Sequence, residues 1–533
     1  MLDRLIENWL TNVHELGYTT PFCQVLASEG ETILRISRGG QGELGKDIIT
    51  RGLDGKLRTY QLKQRDIALK EWNEYRGEIE HLVQLPASAP GVSKSEPHTP
   101  FLVTNGEIRG DALPSIESFS EDWVEKGYPQ LQIIQKNQLL KRFKDAHGSY
   151  LPDKLGDFRE FIGFYIADFR DRFPREKFAL FLERFLDENQ PKKPNKKATK
   201  RSIESTVLLG SYVIEQYEKV GNHIAALEGW TIVAATIFRL VEAKSLTTKF
   251  YGPSISILWS ALLRNFDFLS DELKNRRHWI EPSYVFAERE VVRGARTLLV
   301  LGWLCARFLT QRMRPELYET ESTIALDNQM SHVRLLGESE WPAFFLLAIY
   351  SEWAKGSSSC EGLLSAWIRR VLQEDDPEFR SAGFPSPYWS QEKILELNFG
   401  LVPAQDTETF KPHTYTIKAA LNALVRRLCR REISLLWPMA SELTFCNYKP
   451  NTGDEWLRWR SEHGTMEFRH PELTQKWADW RERTKQVSRD VIPSVFQRHP
   501  EWLLPFCMTF PHRMNEDMSD YIDIVFGRRG TVT

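Results

Sequence analysis

The chain has 533 residues, 41% hydrophobic and 27% charged, close to the globular average, which excludes a disordered or fibrous polymer and allows roughly two to four domains. Its 70 Lys and Arg against 72 Asp and Glu leave a formal charge of −2, which excludes a wholesale basic nucleic-acid binder but not a local basic surface. Six cysteines (Cys23, Cys305, Cys360, Cys429, Cys446, Cys507) stand singly with no CxxC pair, which excludes a disulfide scaffold or zinc knuckle and fits a reducing compartment.

The opening MLDRLIENWL carries charges in its first turn and lacks the apolar segment of a signal peptide. The spacing of Leu2, Ile6, Trp9, Leu10 and Val13 predicts an amphipathic first helix running into Gly17-Tyr18. Strand-like runs follow at 32–37, 47–51 and 57–63, then at 101–104 and 131–134, with helical patterns over 67–85, 113–126 and 137–144. That order demands a sheet covered by helices, an α/β domain over residues 1–150. Beyond it strand signals nearly vanish and helical periodicity takes over, as in Leu208, Tyr212, Ile214 and Tyr217. Fourteen of the 17 Trp lie there, so residues 151–533 are expected to form a large all-α region with aromatic packing. Within it, 190–201 reads QPKKPNKKATKR, which has nothing to bury and predicts a basic loop or linker. The longest uncharged run, between Lys249 and Arg264, is broken by Gly252 and Pro253 and falls short of the roughly 18–20 residues a membrane span needs. A cytoplasmic protein without a membrane partner is expected.

The stretch that carries chemistry is ISRGGQGELGKDIITRGLDGKLRTYQLKQRD, from Ile36 to Asp66. It reads as a Gly-rich turn, a strand opening at Asp47, a turn on Leu53-Asp54-Gly55-Lys56 and a second strand ending in Tyr60-Gln61-Leu62-Lys63. Gln61 and Lys63, two residues apart, share one face of that strand, while Tyr60 and Leu62 face the core. A carboxylate, an amide oxygen and an ammonium thereby converge at one sheet edge, a set suited to phosphodiester hydrolysis. Asp47 is suited to Mg²⁺ (or Mn²⁺), Gln61 to the metal or its water, and Lys63 to orienting and deprotonating the attacking water. Gly45 lets the backbone approach substrate, and Lys46 and Arg65, with Lys56 and Arg58, are placed to grip phosphates. One geometric condition follows. A two-residue turn on Asp54-Gly55 would set Asp47 opposite Leu62 and away from Lys63, so the site requires an irregularity between Gly45 and Gly55: a three-residue loop, a bulge, or a bend of the strand at the Gly-rich turn.

These motifs resemble the PD-(D/E)xK nuclease superfamily in its Mrr-like branch of restriction endonucleases, where the second half of the motif is commonly QxK. The resemblance rests on the first helix with Gly17-Tyr18, the GxxGxD of Gly42–Asp47, and Tyr60-Gln61-Leu62-Lys63. Downstream it rests on Phe101-Leu102-Val103-Thr104-Asn105-Gly106, Leu131-Gln132-Ile133-Ile134 and Asn137-Gln138-Leu139-Leu140. It covers about residues 1–150 and implies a restriction-endonuclease-like α/β domain. It also implies catalytic Asp47, Gln61 and Lys63, with Mg²⁺ or Mn²⁺ on Asp47 and Gln61. Many members add an acidic residue on the first helix; Glu7 is the candidate here, with Glu15 also on it. Gln61 replaces the usual second acid, and Glu43 in the Gly-rich turn is placed to compensate.

Residues 151–533 carry no GxxxxGK[ST] or other recognised motif. The cluster Arg426–Arg431 reads as a solvated face balanced by acids such as Glu432. The expected function is a metal-dependent DNA endonuclease, the nuclease effector of a bacterial anti-phage or restriction system. Its helical region would regulate it, as part of a homo-oligomer or with a sensor or ATPase subunit. The alternative is a non-catalytic scaffold or nucleic-acid-binding protein that keeps a nuclease-like fold.

Overall fold

In a computed structural model of the chain, the strand-forming runs between Thr32 and Ile134 assemble into one five-stranded sheet. Its strands are β1 (Thr32–Ile36), β2 (Ile48–Arg51), β3 (Leu57–Lys63), β4 (His98–Thr104) and β5 (Gln132–Ile134), ordered β1-β2-β3-β4-β5. The structure describes residues 2–37, 45–147, 155–165, 169, 172–188, 195–275, 287–313, 337–374, 387–389, 394, 413–460, 464–471, 475–485 and 492–527. The chain forms two compact units, Met1–Phe268 and Leu269–Thr533.

In the first unit β1, β2 and β3 are antiparallel, while β3, β4 and β5 run parallel. Parallel neighbours need crossovers, supplied by α3 (Leu69–Gln84) and α4 (Ala112–Glu125). These two helices bury Trp72, Ile79, Leu82, Ile116 and Trp123 with Leu102 on one face of the sheet. On the other face, Phe22 of α2 (Glu15–Ser28) stands edge-on to Tyr60 at 5.6 Å, and Tyr60 stacks on Phe101 at 4.9 Å. With both faces covered, β3 has no solvent side. Gln61 and Lys63 are 4% and 5% exposed, so Lys63 lies beneath α3 rather than on the outward polar face expected.

The first helix differs from the periodicity-based expectation. α1 spans Leu2–Asn12 and α2 begins at Glu15, so Gly17-Tyr18 lies in the first turn of α2 rather than ending one long helix. Asn105 explains the break. Its Nδ2 donates to the carbonyls of Leu10 (2.7 Å) and Val13 (2.9 Å), while its Oδ1 accepts from the backbone N–H of Arg65 (2.6 Å). Carbonyls freed at the end of α1 are thus tied to the turn after β3.

The change of character near residue 150 is a change of secondary structure, whereas packing divides the chain after Phe268. The helix α5 (Lys136–His147) ends with buried His147, whose Nε2 meets the Tyr212 hydroxyl at 2.8 Å and whose Nδ1 meets Ser205 at 3.1 Å, both on α8 (Lys196–Lys219). Arg264 of α10 (Thr248–Asn275) reaches Thr20 of α2 at 3.3 Å. The intervening helices are α6 (Leu155–Tyr165), α7 (Arg175–Glu188) and α9 (His223–Lys244). The expected linker over 190–201 is corrected in its second half. Lys196–Arg201 form the first turns of α8, because Asn195 caps them by accepting from the N–H groups of Lys197 and Ala198; residues 190–194 lie outside the described residues. α9 is long and apolar enough by composition to cross a membrane, but 94% of its apolar window is buried inside the unit.

The second unit is mostly helical but not all-α as expected. Its helices include α11 (Ala287–Met313), α12 (Trp341–Lys355) and α13 (Ser357–Glu374), and it carries a three-stranded sheet of β6 (His413–Thr414), β7 (Thr444–Lys449) and β8 (Thr465–Arg469). Strands this short leave little periodicity to read. The Arg426–Arg431 cluster is also corrected. Arg426 bonds Asp520 at 2.8 Å and Asp523 at 2.5 Å, and Arg427 bonds Glu352 at 2.6 Å and Asp523 at 2.8 Å. Arg427 and its partners are buried, so half of the presumed solvated face is an internal ion-pair network.

Candidate active site

The site is built on the β2–β3 hairpin. Gly52 N–H bonds Lys56 C=O at 3.0 Å, Gly55 N–H bonds Gly52 C=O at 2.9 Å, and Gly55 has φ +75°. The loop is therefore Leu53-Asp54-Gly55, three residues closed by a left-handed glycine. It sets Ile48 opposite Tyr60 and Thr50 opposite Arg58, one residue displaced from a two-residue hairpin. A second irregularity falls on Asp47. Its N–H donates to the Tyr60 carbonyl at 2.9 Å, the residue already paired with Ile48, so two residues face one in the manner of a bulge. The expected strand opening at Asp47 is thereby corrected to Ile48. The Asp47 side chain turns along the ladder and its Oδ2 accepts the N–H of Leu62 at 2.6 Å. Two of the irregularities named as conditions of the site, a three-residue loop and a bulge, are present.

Lys63 closes β3. Its Nζ donates to Glu78 Oε2 of α3 at 2.6 Å, lies 3.8 Å from Glu15 Oε2 of α2, and sits 4.7 Å from the centre of the Tyr75 ring. Burial pulls its pKa down, but Glu15, Glu78 and Asp47 outweigh that and leave it raised. Lys63 is therefore held as an ammonium, suited to orienting water and offsetting negative charge. That state suits orienting water better than taking a proton from it.

Tyr18 locks the strand ends behind the site. Its hydroxyl donates to the Lys63 carbonyl at 2.8 Å and the Val103 carbonyl at 3.3 Å. Burial first, then Glu15 and Asp47, push its pKa well above the usual phenol value, so it remains a neutral donor.

The other expected positions divide. Glu7 is exposed on α1, with its carbonyl accepting from Thr11, and it is Glu15, at the N-terminus of α2 where a carboxylate is favoured, that lies 3.8 Å from Lys63. Glu43 lies outside the described residues. Gly45 approaches α3 rather than an open cleft: with φ +69°, any Cβ there would run into the Glu78 carbonyl oxygen. Lys46 is 2% exposed and its Nζ donates to the His81 carbonyl at 3.0 Å, while burial lowers its pKa to about 8. It is not presented to a phosphate backbone. Arg65 is exposed, with φ +68° imposed by the Asn105 bond to its N–H and the Thr104 hydroxyl bond to its carbonyl. Sequence reasoning missed Glu78 and Tyr75. Their available signal was the edge of the α3 apolar stripe, one turn apart beside Trp72 and Ile79.

Fit to a divalent cation can be judged from the donors. Gln61 Oε1 is buried with no hydrogen-bond partner, an orphan acceptor that calls for a cation or a donor. Asp47 adds a carboxylate. Mg²⁺ keeps several waters and takes one or two protein carboxylates, so the pair fits. Among the described residues no three His, Cys, Asp or Glu side chains group closely enough for an all-protein cage.

No family model, curated protein or solved structure matches the chain.

Proposed function

We propose that residues 1–150 form a restriction-endonuclease-like domain of the Mrr-like PD-(D/E)xK type and that the protein hydrolyses phosphodiester bonds in DNA with Mg²⁺ or Mn²⁺. The observation that supports this best is the orphaned, buried Gln61 Oε1 on the same strand face as Lys63, with the bulged Asp47 carboxylate on the Leu62 N–H between those two residues. Asp47 and Gln61 would hold the cation, which when bound polarises the phosphate and acidifies a water. Lys63, kept charged by its three acidic neighbours, orients that water and offsets charge on the phosphate oxygens. Tyr18 and the bulge hold the end of β3 so that these groups stay in one place.

The broader role we propose is that of the nuclease effector in a bacterial restriction or anti-phage system, cytoplasmic, acting as an oligomer or with a sensor or ATPase subunit. Control by the helical part is supported by α8 and α10, which pack directly on the helix that carries Glu15. The second reading, a scaffold without catalysis, draws support from Lys63 being engaged by two carboxylates. Supercoiled plasmid incubated with Mg²⁺ or Mn²⁺, with an EDTA control, separates them. Nicking that EDTA abolishes is expected; intact plasmid under both metals would overturn the nuclease reading.

A further inference from the structure

Resting on that reading of the site, we infer that the Glu78 carboxylate occupies the place on Lys63 that a nucleic-acid phosphate takes, so that Glu78 is a built-in competitor which must swing away before DNA is engaged. The geometry is asymmetric. Lys63 is 6% exposed at its side chain, and its backbone is held on both sides, Tyr18 bonding its carbonyl and Asp47 the N–H of the preceding Leu62. Glu78 is 53% exposed and touches Lys63 from the solvent side of α3 at 2.6 Å. Glu15, 31% exposed and at 3.8 Å, holds the ammonium from the other helix and keeps it charged when Glu78 leaves.

The backbone of Glu78 is held within α3, with Gly45 lying close against its carbonyl. Release therefore needs only rotation of an exposed side chain, a small motion. A carboxylate and a phosphodiester are both anions that pair with an ammonium, and Glu78 already stands at 2.6 Å on the side of Lys63 away from Glu15, so an incoming phosphate competes with it there. The acidic outer face of α3, with Glu71, Glu74 and Glu78, further disfavours an approaching phosphate backbone until the Lys63 contact is exchanged. An enzyme that can damage its own genome gains from a resting state of this kind. The proposal concerns duplex DNA; single-stranded RNA serves as a competitor in the test.

The test compares full-length wild type, Glu78→Gln and Glu74→Gln for binding of a fluorescent 20-base-pair duplex in Ca²⁺, and for plasmid nicking in Mg²⁺. Glu78→Gln keeps shape and removes the negative charge that faces Lys63. Glu74→Gln removes the same charge one turn away without that contact. About tenfold tighter binding is expected for Glu78→Gln, with faster nicking, against less than about twofold for Glu74→Gln. Equal gains in the two variants would reduce the effect to general charge and overturn the inference, as would no gain, lost nicking in Glu78→Gln or a gain seen for RNA alone. If Glu78→Gln alone tightens DNA binding while no protein nicks, the inference stands and the nuclease reading falls. If wild type nicks and Glu78→Gln neither binds nor nicks better, the reading stands and the inference falls.

Discussion

Lys63 in the first unit and Arg427 in the second are both buried cations held between two carboxylates, the first singled out by its motif in the sequence and the second read there as part of a solvated face. Their surroundings differ. Arg427 is 4% exposed and its partners Glu352 and Asp523 are 1% and 2% exposed, whereas the partners of Lys63, Glu15 and Glu78, are 31% and 53% exposed. The first arrangement is sealed and serves packing. The second has partners that reach solvent, on the strand that also carries an orphaned amide oxygen and accepts the bulged Asp47 carboxylate. A charged cluster becomes a candidate site through incomplete closure, not through its residue types.

The sealed network should break hardest. Arg427→Ala takes the cation from buried Glu352 and leaves Asp523 with Arg426 alone, and a loss of about 3–5 kcal/mol is expected in chemical denaturation of the full chain. Burial alone would raise the pKa of Asp523, but Arg427 and Arg426 hold it down to about 2. Its contribution is therefore present above the ordinary carboxylate range and lost as pH falls toward about 2. An Arg427→Ala chain as stable as wild type near neutral pH would contradict the sealed reading.

At the open cluster the larger effect should fall on activity. Lys63→Ala is expected to lower plasmid nicking by about 10²-fold or more while costing only about 1–2 kcal/mol of stability, because its partly exposed partners can rehydrate. Lys63→Arg should fail too, since a planar guanidinium does not replace a compact ammonium. Full nicking by either variant would remove Lys63 from the site.

A third measurement asks whether the helices behind α2 sense pH. Glu215 of α8 is 2% exposed beside Gly17, and burial first, then Glu218, raise its pKa to about 7. A carboxyl raised in the folded state stabilises fully below its unfolded pKa near 4.5 and loses that stability as pH climbs through about 7. Glu215→Gln should therefore gain about 2–3 kcal/mol relative to wild type at pH 8 and nothing at pH 4. Parallel melting curves at all pH values would refute the buried acid.

The smallest effect separates the two acids of the N-terminal helices. Glu7→Gln should change nicking less than about twofold and stability by under about 0.5 kcal/mol, as for an ordinary surface position. Glu15→Gln, removing a partner of Lys63, should lower nicking by about tenfold. Equal losses would return Glu7 to the site.

Much of the sheet was legible because strand and turn chemistry is local. The run from Tyr60 to Lys63 alternates, and Asp54-Gly55 announces a hairpin. The need for a one-residue displacement could be worked out from side-chain parity alone. The break between α1 and α2 was not legible, because Leu2 to Val13 keeps a helical period and the capping group, Asn105, comes more than 90 residues later. Lys196–Arg201 looked like a linker for the converse reason: a cationic first turn has no apolar face, and only the Asn195 cap and the packing of the rest of α8 make it helical.

From residue types and spacing alone, the chain determined an α/β N-terminal part, a mostly helical remainder, and the set Asp47, Gln61 and Lys63 on one hairpin. These depend on periods of two and about 3.6 residues and on turn residues, all acting within a few positions. Tertiary structure alone decided that β3 is covered on both faces, that Glu15 and Glu78 rather than Glu7 meet Lys63, that Lys46 is turned inward, and that Arg427 is sealed. Those outcomes depend on which helix the crossovers lay over which strand, and hence on which charges share a volume closed to water. Burial and charge pairing act through space, so no local pattern in the chain records them.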